Sequence, residues 1–218
     1  MKSREIVLPG EELEGRKGRK LGSGVYTEGE KVFSKVLGMP RIDENEISVT
    51  ALSGTYTPKV GDKVVGVIDA TEISGWSVDI NSPYMAFLPI SEAVDEFVDR
   101  DRTDLSRYFD IGDIIFCRIS KVTKNMVVQV SMDDYLAKKL INGTIIKVTP
   151  TKISRIIGKA GSMINLIKDK TGCDLTSGQN GVVWIRGEEK SKAIEAVLTI
   201  EKDSHTIGLT EKIEKMLG

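Results

Sequence analysis

Apolar positions divide the chain into three parts, and helical spacing enters only in the third. Up to residue 56 they alternate in short runs, KVFSKV at 31–36 and EISVTAL at 46–52, with no helical spacing. The start is rich in glycine: Gly10, Gly15, Gly18, Gly22 and Gly24. Short alternating runs between turn residues predict a small all-β unit over 1–56. Then come five β-rich runs: TPKVGDKVVGVIDATEI, GWSVDINS, YMAFLPIS, DIIFCRISKVT and NMVVQVSM. Five short strands in succession fit a Greek-key barrel of the OB type, assigned to 57–136. Between the third and fourth runs lies SEAVDEFVDRDRTDLSRYFDIGD, whose mixed charge predicts a short helix and a solvated loop.

The pattern after residue 136 is different. NGTIIKV reads as a strand. TPTKISRIIG reads as a helix, with Thr149 as N-cap and Pro150 at the first helical position. SMINLIKDKTG gives a second helix from Ser162 to a stop at Gly172. CDLTSG and VVWIRG are strands, EEKSKAIEAVLTIEK is an amphipathic helix, and LTEKIEKML is a last short one. The expected order over 137–218 is β-α-α-β-β-α plus a C-terminal helix. The fold class is therefore multidomain, mainly β and then α/β.

Two glycines, Gly158 and Gly161, separate the first two helices of this last part. Inside a helix each would cost about 1 kcal/mol against alanine, so the helix is expected to stop here. A GxxG turn lets a ligand approach the backbone with no Cβ in the way, and the next helix begins at once with its free N–H groups. The charge pattern singles out the same place. The whole chain is balanced, with 31 Lys and Arg against 32 Asp and Glu. Yet from 147 to 170 the bases Lys147, Lys152, Arg155, Lys159, Lys168 and Lys170 face a single acid, Asp169. A turn with Lys159 inside it and Arg155 one helical turn before suits a phosphodiester backbone.

GKAG at 158–161, within this element order and basic patch, resembles the loop of a KH domain of the βααββα type. Such a loop clamps about four nucleotides of a single strand. The resemblance implies RNA contacts at Lys152, Arg155, Gly158, Lys159, Ala160, Gly161 and Lys168. The middle barrel resembles an S1-type RNA-binding domain in KVGDKVVGVI, GWSVDI, FLPIS and DIGDIIFCRISKV. It departs from that family where aromatics usually flank the second-strand glycine. Ser74 and Ser77 stand there, with Trp76 between them, and Pro89 replaces a histidine. Trp76, Tyr84 and Phe87 are then either stacking platforms or core or interface aromatics. The S1 resemblance makes Lys63, Arg118, Lys121 and Lys124 candidate RNA-contacting cations beside them.

One S1 unit before one KH unit, behind a small β domain, resembles the RNA-binding cap subunit of the archaeal exosome, the ribosomal-RNA-processing protein 4 type. IVLPGE near the start and GQNG at 178–181 match that family too. The resemblance implies three cap copies on a hexameric ring of phosphorolytic subunits related to ribonuclease PH. In that arrangement the N-terminal domain docks on the ring and single-stranded RNA is fed toward the pore. Gly178, Asn180 and Gly181 are expected to be structural, with the glycines able to take positive φ and Asn180 fixing the turn and any domain it touches. The alternative is a free-standing S1/KH factor in transcription or translation.

No enzyme is expected. Asp95, Glu96, Asp99, Asp101 and Asp104 form a carboxylate run, but Arg100, Arg102 and Arg107 neutralise it. The only histidine is His205, which leaves no nucleophile–base set. Gly15-Arg16-Lys17 lacks the ending of a phosphate-binding loop. No metal or cofactor is expected. Cys117 and Cys173 read as reduced, semi-buried thiols. With no apolar leader and no membrane-length run, the expected location is the cytoplasm.

Overall fold

The computed structural model describes residues 6–14, 18–94, 105–204, 206 and 208–218. The carboxylate run at 95–104, Arg16, Lys17 and His205 lie outside the described residues. The chain divides into two compact units, Met1–Gly54 and Thr55–Gly218.

The first unit is all β among its described residues. Strands β1 (Glu12–Leu13), β3 (Val25–Glu28) and β4 (Lys31–Ser34) form one sheet in the order β1-β4-β3. Strands β2 (Lys20–Leu21), β5 (Gly38–Ile42) and β6 (Glu46–Ala51) form another, ordered β2-β6-β5. The alternation read at 31–36 and 46–52 is the burial pattern: Val32, Ile47 and Val49 join Val7 and Leu13 in one small core. IVLPGE forms one isolated bridge, Val7 to Gly38, and its Gly10 and Glu11 form backbone hydrogen bonds with Ser34.

In the second unit, β7 (Lys63–Glu72), β8 (Gly75–Asp79), β9 (Ala86–Pro89), β10 (Ile114–Val122) and β11 (Val128–Ser131) form a closed five-stranded barrel. Closure comes from β11, antiparallel to β10 and parallel to β9. Bulges in β7 at Ile68/Ala70 and in β10 at Ile119/Lys121 let these long strands coil around it. The barrel core holds Val64, Ile68, Trp76, Val78, Leu88, Ile115 and Ile119. A short helix α1 (Ile90–Ala93) follows β9 as expected. Residues 105–109 are only partly solvated: Ser106 and Arg107 are exposed, but Leu105 and Phe109 are buried in the barrel core. The apolar pair inside a charged segment adds to the barrel core, with Phe109 edge-on to Trp76, where a purely polar loop could not.

Strand β12 (Lys138–Leu140) pairs with β10, so the barrel's sheet extends past residue 136. Beyond it, β13 (Thr144–Lys147), β14 (Asp174–Ser177) and β15 (Val182–Arg186) form an antiparallel sheet ordered β13-β15-β14. Helices α2 (Ile153–Ile157), α3 (Ser162–Thr171) and α4 (Lys190–Lys202) pack their apolar faces on it, and α5 (Leu209–Leu217) adds Leu209 and Ile213 to the same core. Gly172 ends α3 in the left-handed conformation. Thr149 precedes the turn leading into α2 but makes no side-chain cap there. Its hydroxyl and amide both donate to Glu201 Oε1, at 2.7 and 2.6 Å, tying the start of α2 to α4.

A fourth apolar cluster joins barrel and helical parts. Val65, Phe116 and Leu140 meet Val182 and Trp184, with Ile114 and Ile145 alongside. Both cysteines are free and fully buried, Cys117 in the barrel and Cys173 under α3. Burial pushes the Cys117 thiol up to about 12.

Candidate nucleic-acid interface

GKAG lies where α2 stops and α3 begins. Gly158 has φ 76 and ψ 176, and Gly161 has φ 81. Ala160 is also left-handed, with φ 52. Three of four consecutive residues in this region of backbone space is a conformation that side chains resist. The two glycines differ in their surroundings. A Cβ on Gly158 would lie 2.7 Å from the Met163 amide nitrogen, so Gly158 permits α3 to start against the turn. A Cβ on Gly161 would meet only Asn165 and Ile164 side chains, at 3.5 and 4.0 Å. Lys159, Ala160 and the start of α3 are solvent-facing, and among the described residues no side chain caps the α3 N-terminus. The loop thus offers open backbone and a positive helix end to an anion.

The basic patch is less uniform than its sequence. Lys147 lies 3.9 Å from Asp79 and Lys168 3.8 Å from Asp174. Arg155 Nη2 donates to the Thr206 carbonyl at 3.2 Å. Lys152 is half-buried, and Lys159 is exposed with no ion pair among the described residues.

GQNG has the same spacing and a different setting. It joins β14 to β15 and is pressed onto the barrel. Strand β8 first pairs with β7 at Val67, which leaves Lys63 and Val65 with one edge free of strand partners. Gln179 and Asn180 fill it. Gln179 donates its amide to Lys63 O at 2.8 Å and accepts the Lys63 amide on Oε1 at 2.7 Å. Asn180 is fully buried. Its Oδ1 accepts the Val65 amide at 3.3 Å, and its Nδ2 donates to Val65 O at 2.7 Å and Ile80 O at 2.9 Å. Asn81 Nδ2 donates back to Asn180 O at 2.9 Å. A carboxamide has one acceptor and two donors, the complement of one amide and two carbonyls. Gly181 takes φ 81 as expected, but Gly178 and Asn180 do not have positive φ. Gly178 is required for close approach: a Cβ there would lie 2.5 Å from the Val65 nitrogen.

On the barrel, Trp76 is a correction. It is 0% exposed, donates Nε1 to Phe109 O at 3.0 Å and stands edge-on to the Phe109 ring, so no base can reach it. Tyr84 is partly exposed in the β8–β9 loop, Phe87 is half-buried in β9, and Lys121 and Lys124 are exposed on β10 and the turn after it. Lys63 and Arg118 are cross-strand partners. Between them lies Asp134, 3.3 Å from Lys63 Nζ and 3.8 Å from Arg118 Nε. A Leu136 amide bond, with Lys63 and Arg118 beside it, holds the Asp134 carboxyl below the usual carboxylate range. Sequence reasoning missed Asp134 and its neighbour Tyr135. The only signal was an aromatic residue in a polar turn just after the last barrel strand. Among the described residues no cluster of acidic, histidine or cysteine side chains could hold a metal ion, and no helix is long and apolar enough to cross a membrane.

These features define a class: a protein that couples an S1-type barrel to a KH domain behind a small β unit. Comparison with known proteins agrees. Residues 55–121 match the RRP4 S1 domain family and residues 143–202 the KH domain family. The exosome complex component Rrp4 of Pyrococcus furiosus is 43% identical over 222 residues, covering 100% of this chain and 84% of the relative. That of Methanothermus fervidus is 37% identical over 219 residues, covering 100% and 96%. A crystal structure with the provisional name of an exosome complex RNA-binding protein superposes with TM-score 0.69 at 28% identity, over 75% of this chain and 95% of that one. The chain belongs to the Rrp4 family of exosome complex components.

Proposed function

We propose that this protein is a non-catalytic RNA-binding subunit of an exosome. It recruits single-stranded RNA to a ring of ribonuclease-PH-like subunits that degrade RNA phosphorolytically from the 3′ end, and guides it to the entrance pore. Three copies form the cap, docked through the N-terminal unit. That unit leaves Ile6, Leu8, Leu21, Leu37 and Ile42 exposed, side chains suited to a protein contact. Domains of about 1–56, 57–136 and 137–218 divide ring docking, barrel and KH roles.

The observation that carries this reading is the open GKAG loop at an uncapped helix N-terminus, held beside an S1-type barrel by a buried clamp. Neutralising roughly three phosphates of a single strand gives a log–log salt slope of about −2. Two experiments test the reading. Purification from the native host under mild conditions should bring ring subunits with this protein, in a ratio of ring hexamer to three caps. The pure chain should bind single-stranded RNA in a salt-dependent way without shortening it. A chain that purifies alone, or whose own RNA degradation survives removal of contaminating nucleases, would overturn it.

A further inference from the structure

Tyr135 is 90% exposed, yet it is not loosely held. It sits in a turn fixed by three backbone-directed bonds: the Asp134 amide to Met132 O at 2.9 Å, the Ala137 amide to Asp134 O at 2.8 Å, and the Leu136 amide to Asp134 Oδ1 at 3.0 Å. Lys63 Nζ lies 4.9 Å from the centre of its ring. That ammonium is held by Asp134, 3.3 Å away, and Gln179 fixes the Lys63 backbone from which it extends. A cation over one face of a ring leaves the other face free for a flat partner. Arg118, beside Lys63 by strand register, has a buried Nε with no hydrogen-bond partner among the described residues.

We propose that Tyr135, backed by Lys63 and with Arg118 beside it, is a stacking platform for one unpaired base of single-stranded RNA. The inference rests on the RNA-binding reading above and adds a contact outside both the GKAG loop and the barrel aromatics. The platform stands where the open edge strand of the KH sheet, β14, runs through Gln179 onto the barrel. A strand of RNA leaving the KH domain on that side meets an exposed ring. Charge is not the source of attraction. Lys63 and Arg118 are both paired with the Asp134 carboxylate, so affinity here comes from stacking.

The test is a set of anisotropy titrations of a labelled, unstructured oligoribonucleotide against the full chain, over a range of salt. Tyr135→Ala should weaken binding about fivefold or more, the loss of one stacked base. The salt slope should stay that of the wild type, because no phosphate contact is removed. Tyr135→Phe should bind like the wild type. Tyr135→Trp should bind at least as tightly, and its added fluorescence should be quenched as RNA is titrated, against the buried Trp76 and Trp184. Since the side chain is exposed, all three variants should melt as the wild type does. If Tyr135→Ala binds like the wild type while Gly161→Asp binds poorly, the platform is refuted and the RNA-binding reading survives. If Tyr135→Ala flattens the salt slope, the residue acts through charge and the stacking proposal is wrong. If the wild type binds no RNA, both fall together.

Discussion

Two loops in this protein, at 158–161 and 178–181, have the same spacing of glycines and do opposite things. GKAG keeps its backbone open. Its glycines sit at positive φ, a Cβ at Gly161 would meet nothing closer than 3.5 Å, and a helix N-terminus stands behind it. GQNG is closed. Its asparagine is fully buried, its first glycine touches barrel backbone, and its polar groups are bonded to Lys63, Val65 and Ile80. The difference lies in the element after each turn. An uncapped helix leaves donors for a ligand, whereas a strand returning to its sheet leaves the turn free to bind a neighbouring domain. A glycine motif therefore has no function until its flanking elements are known.

The largest effect is expected at Asn180. Asn180→Ala would strand one amide and two carbonyls of the barrel, costing about 3 kcal/mol at roughly 1 kcal/mol each. A unit of this size should melt roughly 10 °C lower, measured by circular dichroism. Asn180→Asp should be no better, because its carboxylate cannot donate to Val65 O and Ile80 O. Cys117 reports the same event. Its thiol, raised by burial to about 12, should resist a thiol reagent in the wild type and react faster in Asn180→Ala.

Gly158→Ala comes next, with both structure and binding affected. Positive φ and the Met163 contact together should cost about 2 kcal/mol, and the displaced start of α3 should weaken RNA binding. At Gly161 the two readouts separate. Gly161→Asp should lower stability by only about 1 kcal/mol, since space is open there. On the proposed function it should weaken RNA binding about tenfold, by placing a carboxylate where a phosphate would approach.

The smallest effect is at the rim of the closed loop. Asp134 has a lowered pKa, chiefly through the Leu136 amide and then through Lys63 and Arg118. A group whose folded value is depressed contributes stability above its unfolded pKa, about 3.9 for aspartate, and loses it as pH falls through the folded value. The melting difference between wild type and Asp134→Asn should hold constant at neutral pH and shrink below about pH 4. A difference that grows on acidification would mean the carboxylate destabilises the fold.

Much of this was legible in the sequence. Strand alternation revealed the barrel, and Gly158, Gly161 and Gly172 marked the ends of α2 and α3, because backbone signals of this kind are local. Features that depend on tertiary packing were not legible. Trp76 has the composition of a stacking residue, but β8 points it inward against Phe109, a partner 33 positions away. Thr149 has the sequence of an N-cap and instead bonds Glu201, 52 positions on. Lys147 and Lys168 count toward a basic patch until Asp79 and Asp174 come beside them. Tyr135 carried no periodic or motif signal, and only its exposure and the Lys63 ammonium give it meaning.

The most direct test is one RNA titration series on Gly161→Asp and Asn180→Ala, at a temperature where both are folded. Gly161→Asp is expected to lose about tenfold in affinity while folded Asn180→Ala stays within about twofold of the wild type. The reverse order, with Asn180→Ala losing RNA and Gly161→Asp keeping it, would contradict the roles assigned to the two loops, since the closed loop would then be the one that holds RNA.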